Sequence, residues 1–219
     1  MRRVISILLL SLSFSAVAEV MDEVAAIQTG WAEANYQLKD KAQQIRFEQL
    51  MLNADALVKK EPQSAEALIW RGIVSSSYAG IKGGLGALSL AKNAKADFEQ
   101  AMKIDDQALM GSAYTSLGTL YFKVPGWPLG FGDDDKAEML LKKALTINPD
   151  GIDSNYFYGA FLLDQRQYEQ AENYLLKAQK APARPDRPLA DQGRQQEIAE
   201  ALQQVHNQMK AAQHAGFAH

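Results

Sequence analysis

Cysteine is absent from this 219-residue chain, and its absence removes several classes of protein at once. No disulfide can staple the fold, so stability must come from packed apolar area. There is no thiol to act as a nucleophile or a zinc ligand, or to carry the acyl chain of a lipoprotein. Histidine is nearly as scarce, at three residues, and all of them (His206, His214 and His219) lie close to the C-terminus. The body of the chain therefore lacks both the usual general base and the commonest metal ligand. No acid pair stands at a motif that would place it for catalysis, so the expectation is a protein that is not an enzyme and holds no cofactor or metal. An excess of positive charge is missing too: 23 Lys and Arg stand against 26 Asp and Glu, which argues against a nucleic-acid-binding face. The phosphate-cradling patterns G-x-x-x-x-G-K-[ST] and G-x-G-x-x-G do not occur.

A long apolar run is also lacking. The strongest, Val4 to Phe14, covers eleven residues, whereas a membrane-spanning helix needs about 18 or more. It follows Arg2 and Arg3 and precedes Ala16-Val17-Ala18. A positive start, a short apolar stretch and small residues form the layout of a secretory signal peptide. Residues 1–18 are read as that segment, cleaved after Ala18, and the mature chain as a soluble periplasmic protein with no integral membrane segment.

What the sequence does have is a repeat. Asn155-x2-Tyr158-Gly159-x2-Leu162 is followed by Ala171-x3-Leu175, Ala178 and Pro182, and the unit before it reads Tyr114-x2-Leu117-Gly118-x2-Tyr121, then Ala137-x3-Leu141, Ala144 and Pro149. Ala137 and Ala171 are 34 residues apart, as are Ala144 and Ala178. A third copy runs Leu68-x2-Arg71-Gly72-x2-Ser75, then Ala94-x3-Phe98 and Ala101. Small residues let paired helices approach, large ones fill the space between them, and proline ends the second helix. This 34-residue pattern resembles the tetratricopeptide repeat, TPR. The resemblance implies an all-α solenoid of about four helical hairpins, stacked with a right-handed turn and used to bind other proteins.

Upstream, Val20, Val24, Ile27 and Trp31 fall at helical spacing, and Leu50, Ala54 and Leu57 mark a second helix ending before Pro62. They form a degenerate first hairpin. Residues 19–183 are thus assigned to the repeats and 184–210 to a proline-containing connector and a capping helix carrying Ile198, Leu202, Val205 and Met209. Residues 211–219, which carry no pattern, are assigned to a disordered tail.

Two hairpins are longer than the plain repeat. Gly159 precedes Ala171 by 12 residues, but Gly118 precedes Ala137 by 19 and Gly72 precedes Ala94 by 22. The additions are glycine-rich, Gly80 to Gly86 and Pro125 to Gly132, and read as turns. Insertions in solenoids collect on one edge, often the binding edge. One glycine-rich turn leads into Phe98-Glu99-Gln100-Ala101, and the other passes through Gly132-Asp133 to Lys136-Ala137. The pair resembles the insertions of the TPR component (TatT-like) that accompanies TRAP-type periplasmic transporters. That resemblance implies a transporter solute-binding protein as partner.

Asp133-Asp134-Asp135 lacks the alternation of a calcium loop and is read as a helix cap, with Asp135 accepting an N3 amide and Glu138 reaching back. Aromatic side chains crowd residues 114–161. The candidate partner-binding residues are Trp127 and Phe131 in the insertion, Phe122 and Tyr156 on the expected concave side, and Ile69 and Ile73 at helix-A groove positions. The groove positions that carry a carboxylate clamp in peptide-binding TPR domains hold Ile69, Ile73, Thr115 and Thr119. An apolar ligand or a protein surface is therefore expected. The alternative to docking is a carrier that holds a small hydrophobic ligand in the concave groove and inserted loops. Exported protein should begin at Glu19. N-terminal sequencing of the mature chain tests this, and an intact Met1 in the membrane fraction would refute it.

Overall fold

The computed structural model describes the backbone of residues 2–216 and the side chains of residues 18–84 and 86–212. Among the described residues there are nine helices and no strand: α1 (Arg2–Tyr36), α2 (Asp40–Lys60), α3 (Ala65–Lys82), α4 (Gly84–Ile104), α5 (Ala108–Lys123), α6 (Asp134–Ile147), α7 (Ile152–Asp164), α8 (Tyr168–Gln179) and α9 (Pro188–Gly216). Consecutive helices pair as the hairpins α1–α2, α3–α4, α5–α6 and α7–α8, and each hairpin packs on the next. The fold is an all-α TPR-type solenoid. Most of the signal segment assigned to residues 1–18 has side chains outside the described residues. Among the described residues, no helix is long and apolar enough to cross a membrane.

Small residues set the spacing inside each hairpin. A methyl group on Gly72 would fall 2.6 Å from the Phe98 ring, one on Gly118 2.8 Å from Leu141, and one on Gly159 2.9 Å from Leu175. Each distance is shorter than a carbon–carbon contact allows, so the large side chain of the second helix seats directly on the glycine backbone of the first. Ala94, Ala137 and Ala171 lie fully buried along the same contacts. The degenerate first hairpin follows the same logic with other residues: Val24, Ile27, Phe47, Leu50 and Leu57 are buried and continue the common core.

The two insertions fold differently from each other. The stretch Gly80 to Gly86 makes no loop. It is absorbed into longer helices, α3 continuing to Lys82 and α4 beginning at Gly84. Gly83 and Gly84 both adopt φ of 62° and make the reversal between them, a conformation that glycine enters without steric cost. The second insertion stays a loop and is tied at its base. Gly132 donates to the Pro125 carbonyl at 3.0 Å, Asp133 to that of Tyr121 at 2.9 Å, and Leu129 and Gly130 both to that of Gly126 at 3.1 Å. The cap of α6 is Asp133 rather than Asp135: its carboxylate accepts from the Lys136 amide at 3.1 Å, while Asp134 and Asp135 lie in the first turn. The run of three acids can be read in more than one register, and the strand-like φ/ψ at Asp133 settles it.

The last helix does more than cap α8. It packs on α7 and α8 and also reaches back to α1. Gly193 makes this possible, because the Tyr36 ring lies where its Cβ would be, at 2.4 Å. The Tyr36 hydroxyl donates to Glu197 at 3.4 Å. The first helices of the hairpins, α1, α3, α5 and α7, together with α9 therefore form a closed inner ring, with α2, α4, α6 and α8 outside. The helix runs past Lys210 to Gly216, into the segment assigned to the tail.

Ala171→Leu should lower stability by about 1–3 kcal/mol by overfilling the contact beside Gly159. Ala212→Leu, at an exposed position, should change it by less than about 0.5 kcal/mol. Equal midpoints in denaturant melts of the two variants would sink this packing account.

Candidate functional site

The inner ring lines a cavity of about 390 Å³ that stays partly open to solvent, within the range of roughly 300–1,000 Å³ common for small-molecule sites. Every first helix contributes to its wall: Trp31 from α1, Trp70 and Ile73 from α3, Leu120 from α5 and Phe157 from α7. Trp31 and Trp70 meet edge to face with centroids 6.1 Å apart, and the Trp31 indole N–H donates to the Ser77 hydroxyl at 2.8 Å. Small hydroxyl residues of α3 and α5, among them Ser112, Ser116 and Thr119, complete the lining. The surface is thus apolar in bulk, with polar points.

One end of the cavity is charged. Asp153, near the start of α7, accepts from Arg184 Nη1 at 2.6 Å and from Arg194 Nε at 2.8 Å. Arg184 is shared with Asp191 at 2.7 Å. Arg194, nearly buried, also pairs with Glu197 and lies over the rings of Tyr156 and Phe157 at 4.4 and 4.5 Å. Burial works against the Asp153 charge, but Arg194, Arg184 and Arg187 outweigh it and hold the carboxyl well below the usual carboxylate range. Burial pushes the Glu197 carboxyl up, against the pull of Arg194, and pushes the Tyr36 hydroxyl up as well. The network ties the connector, α7 and α9 together at the rim of the cavity.

The structure scatters the six residues proposed from sequence. Ile73 lines the cavity. Ile69 does not: it is fully buried in the core, because its helix turns it into the stack and not toward the groove. Tyr156 stands in an adjoining, more open cleft between α7 and α9, with Lys123, Tyr168 and Glu200. Phe122 packs edge to face on Phe161, at 5.6 Å, under the Lys123 ammonium. Phe131 folds back on Tyr121 at 5.7 Å. Trp127, at the loop tip, is 89% exposed and Leu129 74%. Trp127 therefore neither seals the fold nor joins the cavity.

Sequence reasoning missed Trp31, Trp70, Asp153, Arg187 and Arg194. The tryptophans looked like ordinary core residues at helical spacing. Three arginines at 184, 187 and 194 were a visible signal in a stretch read only as a connector. The helix-A groove positions Ile69, Ile73, Thr115 and Thr119 are uncharged, but Lys123, Asp153, Arg187 and Arg194 bring charge to the cavity from other positions.

Fold and cavity together define a TPR-type helical-repeat protein built round a closed inner groove. No protein-family description matches the chain, and no curated protein matches it. Among solved structures, "Crystal structure of MamA" is similar over 80% of this chain and 98% of its own, with 15% identity and a TM-score of 0.45. A second, "Crystal structure of MamA protein", covers 86% of this chain and 93% of its own, with 15% identity and a TM-score of 0.43.

Asp153→Asn should destabilise the fold by about 3 kcal/mol at neutral pH, since it leaves Arg184 and Arg194 without the carboxylate they share. The depressed folded pKa means that the wild-type advantage is fully present above the unfolded carboxylate value, about 3.9. It is lost as pH falls from there through the folded value. Melts at pH 7 and at pH 3 should show a narrower gap between the two proteins at the lower pH.

Proposed function

We propose that this protein is an exported periplasmic scaffold of the TPR type that binds a protein partner through the α5–α6 loop. The observation that carries the reading is the loop tip. Trp127 and Leu129 hold their side chains in solvent on a turn whose base is fastened by backbone hydrogen bonds. A large aromatic kept in water on an ordered loop gains apolar burial only when something docks there, and little conformational freedom is lost on docking. The resemblance of the two insertions to those of the TPR component of TRAP-type transporters makes a solute-binding protein the partner of choice.

Trp127→Ala tests the docking role. Because the ring contributes nothing to the core, the variant should melt within about 0.5 kcal/mol of wild type. Loss of an interface tryptophan commonly costs 2 kcal/mol or more, about thirtyfold in affinity. Pull-down from periplasmic extract should therefore lose its partner, and an unchanged pull-down would remove the loop from the binding account.

A second reading rests on a different observation. The closed inner ring surrounds a cavity of about 390 Å³ with indole, phenyl and aliphatic walls, which suits a carrier of a small, largely apolar ligand. The two roles are compatible, since the loop tip and the cavity are built from different residues.

A further inference from the structure

The arginines beside the cavity are not equivalent. Arg184 is committed to Asp153 and Asp191, and Arg194 to Asp153 and Glu197. Arg187 lines the cavity but has no carboxylate within ion-pairing distance among the described residues, and its Nε is buried without a hydrogen-bond partner. Its guanidinium lies over the Trp70 ring, 5.3 Å from the centroid. Trp70, 2% exposed, has a buried indole N–H that also lacks a partner. Both side chains line the cavity, although these two nitrogens are themselves shielded from it. Each such orphan is costly, on the order of 1–3 kcal/mol or more for a charged group, and native proteins leave few of them without a reason.

We infer that the Arg187 guanidinium forms the anion-binding end of the cavity, and that its ligand is a small monocarboxylate with an apolar body. This rests on the carrier reading and gives it a chemical class. A planar guanidinium matches a carboxylate with two parallel hydrogen bonds. The cavity-lining charges are Lys123, Arg187 and Arg194 against Asp153 alone, so an anion is favoured over a cation. Arg194 is already paired and the Lys123 ammonium lies over the Phe122 ring, which leaves one free guanidinium as the partner of a single carboxylate. Burial, and the nearby Arg184, both act against the charge on Arg187, with Asp153 and Asp191 offsetting them in part. A bound carboxylate would relieve that imbalance. Beyond this end, Trp31, Ile73, Leu120 and Phe157 present apolar surface to the rest of the ligand.

The test is calorimetric titration of the full chain with octanoate and with octanamide, which share an apolar chain and differ in charge. Octanoate should bind one per chain, at least about tenfold more tightly than octanamide, the loss expected for one charge-assisted hydrogen-bonded contact. Arg187→Gln should bring octanoate down to the octanamide level while leaving octanamide binding unchanged, which also reports that the cavity is intact. Arg187→Lys, which keeps the charge but not the fork, should fall between the two and stands in if the glutamine variant fails to fold. Equal binding of acid and amide, unaffected at position 187, would overturn the anion site and leave the carrier standing. Binding of neither compound would overturn both.

Discussion

Where the two helices of a hairpin touch, a side chain of the second rests directly on the backbone of the first. Phe98 sits on Gly72, Leu141 on Gly118 and Leu175 on Gly159. No carbon can be added at those glycines without moving a buried ring or a leucine, so the spacing of three hairpins is set by a single repeated contact. That spacing places α3, α5 and α7 side by side on the inner face. Everything the groove does depends on it: a wider hairpin would shift Ile73, Leu120 and Phe157 relative to one another and open the wall of the cavity.

A stack of hairpins by itself leaves an open concave surface, and here it is closed. The Tyr36 ring against Gly193 brings the last helix onto the first, and the salt-bridge network around Asp153 anchors the connector that leads there. Closure changes the physics of the groove. Side chains that would face water on an open solenoid are partly withdrawn from it, which strengthens electrostatic interactions inside and raises the cost of an unpaired donor. Arg187 matters for that reason. On an exposed surface water would satisfy its guanidinium, and the lack of a carboxylate partner would indicate nothing.

The two insertions illustrate how similar compositions reach different ends. Both are glycine-rich, yet one lengthens a hairpin and the other projects from it. Leu85, Ala87, Leu88 and Leu90 surround the first set of glycines with good helix formers, so the helices extend and the reversal shrinks to Gly83 and Gly84. Pro125 and Pro128 remove two backbone donors from the second, so no helix can propagate and Trp127 is carried out into solvent.

Four hairpins, the buried alanines at 94, 137 and 171 and the apolar stripe of α9 were legible in the sequence, because helical periodicity and a repeat with fixed spacing are local properties that survive without coordinates. The exposed position of Trp127 was open until the loop base was seen, since burial of a loop is decided by hydrogen bonds to residues such as Tyr121 that only the fold brings near. Ile69 and Ile73 illustrate the limit most sharply. They lie one turn apart on the same helix, one lining the cavity and the other fully buried, a difference made by the elements that pack around α3. The charged end of the groove belongs wholly to tertiary structure. Asp153 and the three arginines come from separate segments, and their meeting requires α9 to pack back on α7, a long-range contact that no local pattern encodes.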